Sequence, residues 1–487
     1  MRQHCARAGI VILSVFATAQ AHADNLVFSF QGLIQNSPGS GVIPPDTMGS
    51  AGTSLFFEVL NSQFQAHSTT TGAAVGSPLN DAAFWQNAGI SSTVTGGGNG
   101  LSDPRVIWDT NSQRWFAAEI NTTATGNQLL LGRSDTTDPT GTWKAVNFTA
   151  NAGFGDQPLL SLDHNGVNVG LNDFTSVTGT FSGVSVWNVP KSDLLLATPT
   201  AANRTGFQNL TTGIGLSPDG ALNLASSASQ SNIFSETNSG TTLVYNKITG
   251  AGASGAMLSS AINITLAGGF GNPFPARQPG DVSGATLDTG DARFNTTPVQ
   301  IGNLVYLAHT VGSSVSGNHD LIDWEIVDVT SPNAPVLVRQ GQISDPNFDF
   351  YYGSIAANAN GDFVIGFNRS GPSAQGAAGN ISTYFEICHL NGMECGSPTL
   401  ITQSAVAEYN QTFGGPSNRW GDYSATILDP LNSNRFWTVQ EIPLAGSQWA
   451  TEIAEIDVSP EPGSLSLMAL GALTLGWIRR RFHRKSG

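Results

Sequence analysis

A strand unit that recurs along the chain limits its fold more than any other feature. Residues 103–109 are followed by 114–119, and near the other end 420–429 are followed by 435–441. Each copy has a polar entry, a strand ending in Asp, a turn, and a second strand that opens with Arg and two aromatic residues. Short apolar runs, frequent turn dipeptides and the lack of a long amphipathic pattern predict an all-β chain of repeated small sheets.

The spacing of these units predicts a ring of sheets. Units begin near residues 46, 103, 156, 291, 351 and 422, and most starts are about 53 to 71 residues apart. Such spacings suit four-stranded propeller blades with long loops. The longer interval after residue 156 holds one further unit over 213–264. We therefore predict a β-propeller of seven blades, with six blades as the alternative.

The two ends of the body offer a way to close the ring. Three strands are predicted at 423–428, 436–441 and 452–458, and a strand at 26–30 would complete their sheet. Pairing the ends would remove exposed strand edges, which otherwise promote aggregation. A pair of β-sandwiches is the competing architecture, because short strands joined by turns are common to both.

Charge is sparse in the body and mostly acidic. Of the 20 Lys and Arg residues, two lie in the first 23 residues and five after residue 458, and of the 35 acids only Glu461 lies in these ends. The body thus keeps thirteen basic and thirty-four acidic residues, a formal charge of about −21. Because such a surface repels phosphate, nucleic acid is excluded as an expected partner.

The N-terminus has the pattern of a secretory leader. Arg2 and Arg7 precede an apolar stretch at 10–17, and residues 21–23 form a small-residue cleavage site. We expect residues 1–23 to be a signal peptide and the mature chain to begin at Asp24. The propeller body is then expected over 24–458.

The C-terminal residues 459–487 combine a proline-flanked acidic motif, an apolar stretch at 465–478 and a basic end. The motif and the basic end consist of Pro460, Glu461, Pro462, Arg479, Arg480 and Arg481. The apolar stretch is shorter than the roughly 20 residues of a permanent membrane helix, and the basic end favours the cytoplasmic side. This arrangement resembles the PEP-CTERM sorting signal of Gram-negative bacteria.

The resemblance implies export to the cell surface or the extracellular space of a Gram-negative bacterium. It also implies an exosortase-type processing enzyme as a partner and a transient contact of the tail with the inner membrane. An ordinary C-terminal anchor without processing is the alternative.

Two cysteines remain once the leader is removed. Cys388 and Cys395 are seven residues apart, a spacing that suits a short loop closed by a disulfide in an oxidising compartment. A zinc pair with His389 is the competing interpretation, but two thiols and one imidazole make an incomplete set. The other histidines of the body are scattered singly, so the sequence predicts no metal site of the zinc type.

The predicted ring would gather the polar entry residues of several blades around one opening. The acidic entries are Asp46, Asp103, Asp156, Asp291 and Asp422, and the expected rim adds Arg105, Arg293, Arg369, Arg419, Tyr352 and Tyr423. One interpretation is structural, with each Asp capping its entry turn and each Arg pairing with a neighbouring carboxylate.

Two functional interpretations compete with the structural one. The carboxylates suit a ligand site that takes a hard cation such as calcium, beside Trp85, Trp108, Phe413 and Trp420 as stacking platforms for sugars. A sialidase-type glycosidase would instead use an arginine cluster with Tyr352, Glu119 and Asp156 as catalytic groups. Against the enzyme, the Asp-box motifs of sialidases are missing, and no cofactor fingerprint occurs.

The body also resembles a family of uncharacterised secreted bacterial propellers that are described as sialidase-like. The resembling segments are 44–47, 103–105, 287–293 and 419–423. No established activity in that family carries over. We expect a secreted, non-catalytic binding or structural module, with extracellular polysaccharide as a candidate partner; the alternative is a carbohydrate-active hydrolase at the propeller mouth.

The tail hypothesis predicts that replacing both Pro460 and Pro462 with Ala abolishes sorting, because the rigid acidic motif is the expected recognition element. Surface display and the size of the processed chain would be measured in a cell that carries exosortase. Replacing Pro443 with Ala serves as the control, since it leaves the tail intact. Unchanged display and processing of the double variant would contradict exosortase recognition.

Overall fold

The computed structural model of the chain is built almost entirely of β-strands. It describes residues 25–35, 41–96, 100–225, 230–237, 239–280, 286–315, 317–392, 394–412 and 415–458. The predicted leader, 1–23, and the predicted tail, 459–487, lie outside these residues. Within the described ranges, no helix combines the length and apolarity needed to cross a membrane.

The described strands form seven sheets, each of four or five strands, and each sheet is one blade. Strand β1 (Asn25–Ile34) precedes blade 1, which contains β2 (Met48–Ala51), β3 (Leu55–Leu60), β4 (Gln63–Ser68) and β5 (Ala74–Asn80). Blade 2 contains β6 (Leu101–Asp109), β7 (Arg114–Asn121), β8 (Gln128–Ser134) and β9 (Trp143–Thr149). Blade 3 contains β10 (Phe154–Leu162), β11 (Gly166–Phe174), β12 (Phe181–Pro190) and β13 (Thr205–Leu210).

The remaining blades follow the same antiparallel order. Blade 4 contains β14 (Leu216–Gly220), β15 (Gln230–Glu236), β16 (Gly240–Thr249), β17 (Met257–Leu258) and β18 (Ile262–Phe270). Blade 5 contains β19 (Val299–Ile301), β20 (Leu304–Ser313), β21 (His319–Asp328) and β22 (Val336–Ile343). Blade 6 contains β23 (Asp349–Ala357), β24 (Asp362–Ser370), β25 (Ser382–His389), β26 (Glu394–Cys395) and β27 (Thr399–Gln403). Blade 7 contains β28 (Ala425–Leu428), β29 (Arg435–Leu444), β30 (Gln448–Asp457) and β1.

The closure predicted from the sequence is confirmed. Strand β1 pairs antiparallel with β30, placing Leu26 opposite Ile456 and Phe30 opposite Ile453, and β30 continues to β29 and β28. The first strand of the body therefore completes the last blade. The prediction of seven blades is confirmed, and the six-bladed and two-sandwich alternatives are wrong.

Helices are short and lie between strands. They are α1 (Asp81–Asn87), α2 (Ser92–Thr95), α3 (Lys191–Leu194) and a 3₁₀-helix (Ser373–Gly379). Helix α1 begins where the side chain of Asn80 accepts a hydrogen bond from the backbone N–H of Ala83, which satisfies one free donor of the first turn. The helix thereby places Phe84 and Trp85 in the core between blades 1 and 2.

Aromatic side chains fill the interface between blades 1 and 2. The ring of Phe57 lies 5.9 Å from those of both Trp115 and Trp143, and the ring of Phe84 lies 4.7 Å from that of Phe64. Each such fully buried side chain contributes about 1.5 to 3 kcal/mol to folding. Because these rings come from different blades, their packing fixes the angle between neighbouring sheets.

A left-handed residue recurs near the start of the innermost strands. Asp103, Gln157, Ser217 and Tyr352 have φ between 44° and 62°, and a β-bulge follows each of them in β6, β10, β14 and β23. The next residue is Pro in three cases and Gly in the fourth. The polar entry that recurs in the sequence repeat therefore corresponds to this bulge. The matching residue in blade 3 is therefore Gln157 rather than Asp156, so the register inferred from the sequence is one residue off there.

In five of the blades, an Asp or Asn just after or at the end of the first strand closes a turn. The side-chain oxygen accepts a hydrogen bond of 2.8 to 3.1 Å from the backbone N–H two residues later at Asp109, Asp163, Asn223, Asn358 and Asp429. Such turns are a common use of Asp and Asn. The repeated strand-ending Asp is thus structural.

Cys388 and Cys395 are joined by a disulfide. They lie opposite one another in the pairing of β25 with β26. The predicted bridge is therefore present, and the thiols are not available to a zinc ion.

Gly421 is expected to be among the positions least tolerant of a side chain. Its φ is 76°, and a Cβ atom there would lie 2.3 Å from the ring of Tyr352. Replacing Gly421 with Ala should combine about 1 to 2 kcal/mol of left-handed strain with about 1 to 3 kcal/mol of overpacking. Urea denaturation measures this loss.

Gly213 provides the matched control. Its φ is 74°, but nothing lies within 4 Å of the Cβ position. Gly213→Ala should therefore lose only the strain component. Equal losses in the two variants would contradict the proposed close approach of Tyr352.

Candidate functional site

One cavity of about 530 Å³ opens where the innermost strands of several blades begin. Residues from the entries of blades 1, 2, 3 and 7 line it together with the segment that connects β18 to β19. Its charged lining is Asp46, Asp103, Asp156, Asp288, Asp291, Asp422, Arg293 and Arg419. We call this cavity the acidic mouth. The structure thus brings together all five of the aspartates that the sequence assigned to a shared opening.

A second cavity, of about 480 Å³, is lined by the later residues of the same strands. Its walls include Val106, Val299, Ala356 and Ala425, from β6, β19, β23 and β28. The innermost strands therefore begin at a polar cavity and end at an apolar one. The concentration of charge is specific to the end at which the strands begin.

Hydrogen bonds between blades hold the aspartates of the acidic mouth in place. Asn61, in the turn after β3, donates through Nδ2 to Asp46 Oδ2 at 2.8 Å and accepts from the backbone N–H of Asp103 at 2.9 Å. Asp103 Oδ2 in turn accepts from the backbone N–H of Gln157 at 3.0 Å. The chain of bonds runs from blade 1 to blade 3, so the left-handed residues and their carboxylates are positioned as one unit.

Asp46 keeps one unused acceptor. Its side chain is 1% exposed, and Oδ1 has no hydrogen-bond partner among the described residues. By contrast, Asp103 Oδ1 accepts from Ser102 Oγ at 2.6 Å. A buried carboxylate oxygen without a donor is unfavourable, and a bound cation or a ligand hydroxyl would satisfy it.

Crowding of the carboxylates perturbs their titration. Burial, followed by the charges of Asp422 and Asp103, raises the pKa of Asp46 well above its ordinary value. Burial and the charges of Asp103 and Asp422 raise the pKa of Asp156 to about 7. Burial also raises the pKa of Asp422, although Arg419 opposes that shift. Asp46 and Asp156 therefore hold protons at pH values where isolated aspartates are ionised.

Both arginines of the acidic mouth are already paired. Arg293 Nε donates to Asp291 Oδ2 at 2.6 Å. Arg419 Nη1 donates to Asp288 Oδ2 at 3.1 Å, and its Nη2 donates to Asp422. Each guanidinium is therefore already engaged by carboxylates of the mouth itself.

Arg105 lies beneath the acidic mouth rather than on its rim. Its guanidinium stacks 3.5 Å above the ring of Tyr423, and Nη1 donates to the backbone oxygen of Asn295 at 3.0 Å. The side chain is 1% exposed, as is that of Tyr423. The alternation of β6 after the bulge turns Arg105 inward, so the predicted rim position of Arg105 and Tyr423 needs correction.

Arg369 is in a different part of the molecule. Its guanidinium lies between the rings of Phe348 and Tyr384, 4.1 Å from each, and it does not line the acidic mouth. Arg369 lies opposite Phe350 at the start of β23, but it belongs to β24, one strand outward from the innermost strands whose entries line the mouth. The sequence prediction that placed it at the rim is corrected accordingly.

The two other catalytic candidates are buried by their own hydrogen bonds. Tyr352 is 1% exposed, and its hydroxyl donates to the backbone oxygen of Trp420 at 2.9 Å. Glu119 is fully buried and accepts a hydrogen bond from Trp85 Nε1. A nucleophilic Tyr activated by a Glu is therefore not formed by this pair, and only Asp156 of the three candidates faces the mouth.

Several residues of the site carried little signal in the sequence. Asp288 lies in the segment 287–293, which the resemblance singled out, but it precedes the predicted entry by three residues. Asn61 and Gln157 are unremarkable polar residues until strand pairing brings them beside Asp46 and Asp103. The Asp-Pro and Gln-Pro dipeptides were the available signal, since Pro follows the left-handed residue.

No family model matches the chain, and no curated protein matches it. Similar solved structures include a protein of unknown function from Dyadobacter fermentans, with 11% identity over 74% of this chain and 95% of that chain and a TM-score of 0.33. Another is a subtype N10 neuraminidase-like protein of a little yellow-shouldered bat isolate, with 10% identity over 63% and 94% and a TM-score of 0.30. A third is the alpha-L-arabinanase of Penicillium chrysogenum complexed with arabinobiose, with 10% identity over 74% and 93% and a TM-score of 0.33. At these identities the similarity identifies no ligand or activity for this chain.

The pKa of Asp156 predicts a pH-dependent stability. An unfolded Asp titrates near about 3.9, so between about pH 4 and 7 the folded chain binds more protons at this site than the unfolded chain. This contribution therefore falls as the pH rises through that window. Asp156→Asn should remove it and raise the Tm relative to the native chain on the order of 1 to 3 °C at pH 8, but little at pH 4.

Asp138, which is exposed and does not line the mouth, provides the control. Asp138→Asn should leave the pH dependence of the Tm unchanged. Identical pH profiles for Asp156→Asn and the native chain would contradict the titration assigned to Asp156.

Proposed function

We propose that the protein is an exported binding module whose acidic mouth takes a divalent cation, such as calcium, and through it the hydroxyls of an extracellular polysaccharide. The observation that carries this proposal is the gathering of six aspartates around one cavity with only two arginines, both of them paired. The mouth binds its ligand without catalysis, and the propeller serves as a rigid frame for it.

The composition of the mouth favours calcium over a purely neutral ligand. Calcium takes six to eight oxygen ligands from carboxylates, carbonyls and water. The mouth offers carboxylates from the entries of four blades and from the segment between β18 and β19, and the buried Oδ1 of Asp46 lacks a donor. A cation would satisfy that oxygen and would offset both the burial and the carboxylate repulsion that raise the pKa of Asp46 and of Asp156.

The same charge pattern disfavours an acidic sugar as the ligand. A sialoside carboxylate would need free arginines, whereas Arg293 and Arg419 are paired and Arg105 and Arg369 lie elsewhere. This weighs against the sialidase-type interpretation, which needs such arginines to bind the carboxylate of its substrate. A neutral or cation-bridged saccharide is the better match to this mouth.

Sugar stacking contributes little to the proposed recognition. Trp85 and Trp420 are fully buried and Trp108 is 3% exposed, so none of them offers a face to a ligand; Phe413 lies outside the described residues. Without stacking, the mouth can recognise a sugar through a bound cation and through hydrogen bonds to the sugar hydroxyls. This supports the cation dependence of the proposal.

The cellular setting of the proposal comes from the two ends of the chain. The leader at 1–23 and the tail at 459–487 support export and exosortase-dependent delivery to the surface of a Gram-negative bacterium, with transient contact with the inner membrane. The disulfide between Cys388 and Cys395 suits an oxidising compartment. The acidic body is compatible with an exopolysaccharide layer and not with nucleic acid.

A glycoside hydrolase is the second candidate, because the pKa of Asp156 is raised to about 7. A carboxylic acid that stays protonated near neutral pH is suited to protonate a leaving group while another carboxylate remains ionised. Asp156 would be the acid in that case. The Tyr–Glu pair of the sialidase-type mechanism would take no part, since both residues are buried.

Calcium binding to the purified chain tests the proposal. Isothermal titration calorimetry should show calcium binding that strengthens between pH 6 and 8, because Asp156 loses its proton in this range. Asp46→Asn and Asp422→Asn should each weaken the affinity about tenfold or more, and Asp138→Asn should not change it. A glycan array probed with and without calcium then identifies the saccharide.

Two results would contradict this function. Unchanged calcium affinity in Asp46→Asn and Asp422→Asn would remove the mouth as the site. Turnover of neutral glycosides by the native chain, lost in Asp156→Asn, would replace the binding module by the hydrolase.

A further inference from the structure

The interface between blades 4 and 5 contains a buried polar cluster in otherwise apolar surroundings. The cluster consists of His309 on β20, Asp323 and Glu325 on β21, and Glu236 on β15, all of them with no exposed side-chain surface. Its neighbours in the core include Phe234, Leu243, Tyr245, Phe270, Phe294 and Leu307. Three carboxylates and one imidazole are costly in such a place unless something compensates their charge.

Strand register explains how the cluster assembles. His309 pairs with Asp323 across β20 and β21, and Leu307 pairs with Glu325. Since side chains alternate across a strand, His309, Asp323 and Glu325 share the face of blade 5 that packs against blade 4. Glu236, at the end of β15, approaches them from the facing blade.

The tautomer of His309 follows from its contacts. Nδ1 lies 2.7 Å from the backbone oxygen of Ala292 and 2.7 Å from Glu236 Oε2. Both of these atoms are acceptors, and the hydrogen bond to the backbone oxygen of Ala292 requires a proton on Nδ1. In the neutral ring, Nε2 then presents a lone pair on the other side.

Nε2 of His309 faces carboxylate oxygens rather than hydrogen-bond donors. Nε2 lies 3.4 Å from Glu325 Oε1, and neither atom has a hydrogen-bond partner among the described residues. Glu325 Oε2 and Asp323 Oδ1 are also without one, whereas Asp323 Oδ2 accepts from Gln340 Nε2 at 2.8 Å. No Lys or Arg in the described part of the chain forms an ion pair with Asp323 or Glu325, the two carboxylates that face His309 Nε2.

These distances suit a metal ion. One ligand atom from each of His309, Asp323 and Glu325 can be chosen so that all three lie within 4.8 Å of one another. Zinc binds histidine nitrogen and carboxylate oxygen at about 2.0 to 2.2 Å, so two ligands of a tetrahedral ion are separated by about 3.4 Å. The spacing of Nε2 and Oε1 matches that edge.

We propose that His309 Nε2, Asp323 and Glu325 bind a divalent transition-metal ion, for which zinc is the probe, inside the interface of blades 4 and 5. Glu236 acts as the orienting carboxylate, because it holds the proton side of the ring and so directs Nε2 towards the ion. The ion would compensate the buried carboxylates and join the two strands β20 and β21. The sequence did not predict this site, since its histidines appear singly, and none of the four residues lines the acidic mouth.

A second buried Glu–His pair shows what a metal-free arrangement looks like. Glu58 accepts from the backbone N–H of Leu33 at 3.1 Å, from Thr451 Oγ1 and from His67 Nε2 at 3.0 Å. Both of its oxygens therefore have donors, and no set of three potential ligands includes this pair. His67→Gln is accordingly the matched control for His309→Gln.

Metal content and affinity of the full-length chain, purified without a polyhistidine tag, test the proposal. Because the cluster is closed to solvent, the chain is unfolded with EDTA, freed of the chelator and refolded in the presence of the metal. Zinc alone should then bind at about one equivalent and raise the Tm, and cobalt alone should give the visible absorption of a low-symmetry site. His309→Gln should abolish zinc binding, and Glu236→Gln should weaken it about 10- to 100-fold. His67→Gln and Asp46→Asn should bind zinc like the native chain.

The isosteric variants Asp323→Asn and Glu325→Gln cover the case in which His309→Gln does not fold, and each should lose at least tenfold in zinc affinity. The proposal is overturned if the folded, EDTA-treated native chain binds neither zinc nor manganese. It is also overturned if these variants keep native affinity. If the native chain binds no metal, the cluster is an arrangement in which Glu236, His309 and Glu325 share protons. If the variants keep native affinity, the ion binds at another site.

Discussion

The pairing of β1 with β30 is the contact on which the rest of the structure depends. It joins two segments more than 400 residues apart in sequence and turns seven separate sheets into a ring. A single blade cannot bury both of its faces, so each sheet relies on its two neighbours for a core. With the last sheet completed by the first strand, no blade is left with an unpacked face. The angular position of every innermost strand, and therefore the acidic mouth, follows from that closure.

The closed ring brings together polar entry residues that lie in separate repeats of the sequence. Each repeat carries a polar residue before a bulge, and in an open array these residues would be separated by the width of a blade. Closure buries Asp46 and Asp422 beside Asp103, and burial together with the neighbouring carboxylates raises the pKa of Asp46 and of Asp422. Burying these like charges together is unfavourable. The apolar packing between blades, such as that around Phe57 and Trp115, offsets this free energy. The stable propeller can therefore hold these carboxylates in an arrangement that lowers the stability of the fold but suits a bound ligand.

The sequence predicted the features that depend on period and on local turn chemistry. Blade number, closure by the N-terminal strand and the bridge of Cys388 to Cys395 are of this kind. Arg369 could not be placed, because its partners Phe348 and Tyr384 come from a loop and from another strand. Asp156 was assigned one residue out of register, since a bulge shifts the alternation and leaves no trace in composition. The cluster at His309 depends on the register of β20 against β21 and on a residue of another blade, which no local pattern reveals.

The two polar sites differ in what a bound cation would do for the protein. The acidic mouth is open, and its carboxylates hold protons when it is empty, so cation and proton compete and occupancy is reversible. The cluster at His309 is closed to solvent, so an ion there would enter during folding and remain with the folded chain. Blade 5 is joined to blade 4 by the long segment that also carries Asp288 and Asp291 into the mouth. In that segment, the backbone oxygen of Ala292, next to Asp291, lies 2.7 Å from His309 Nδ1. An ion that fixes the His309 ring would therefore also fix this contact with the segment that completes the mouth.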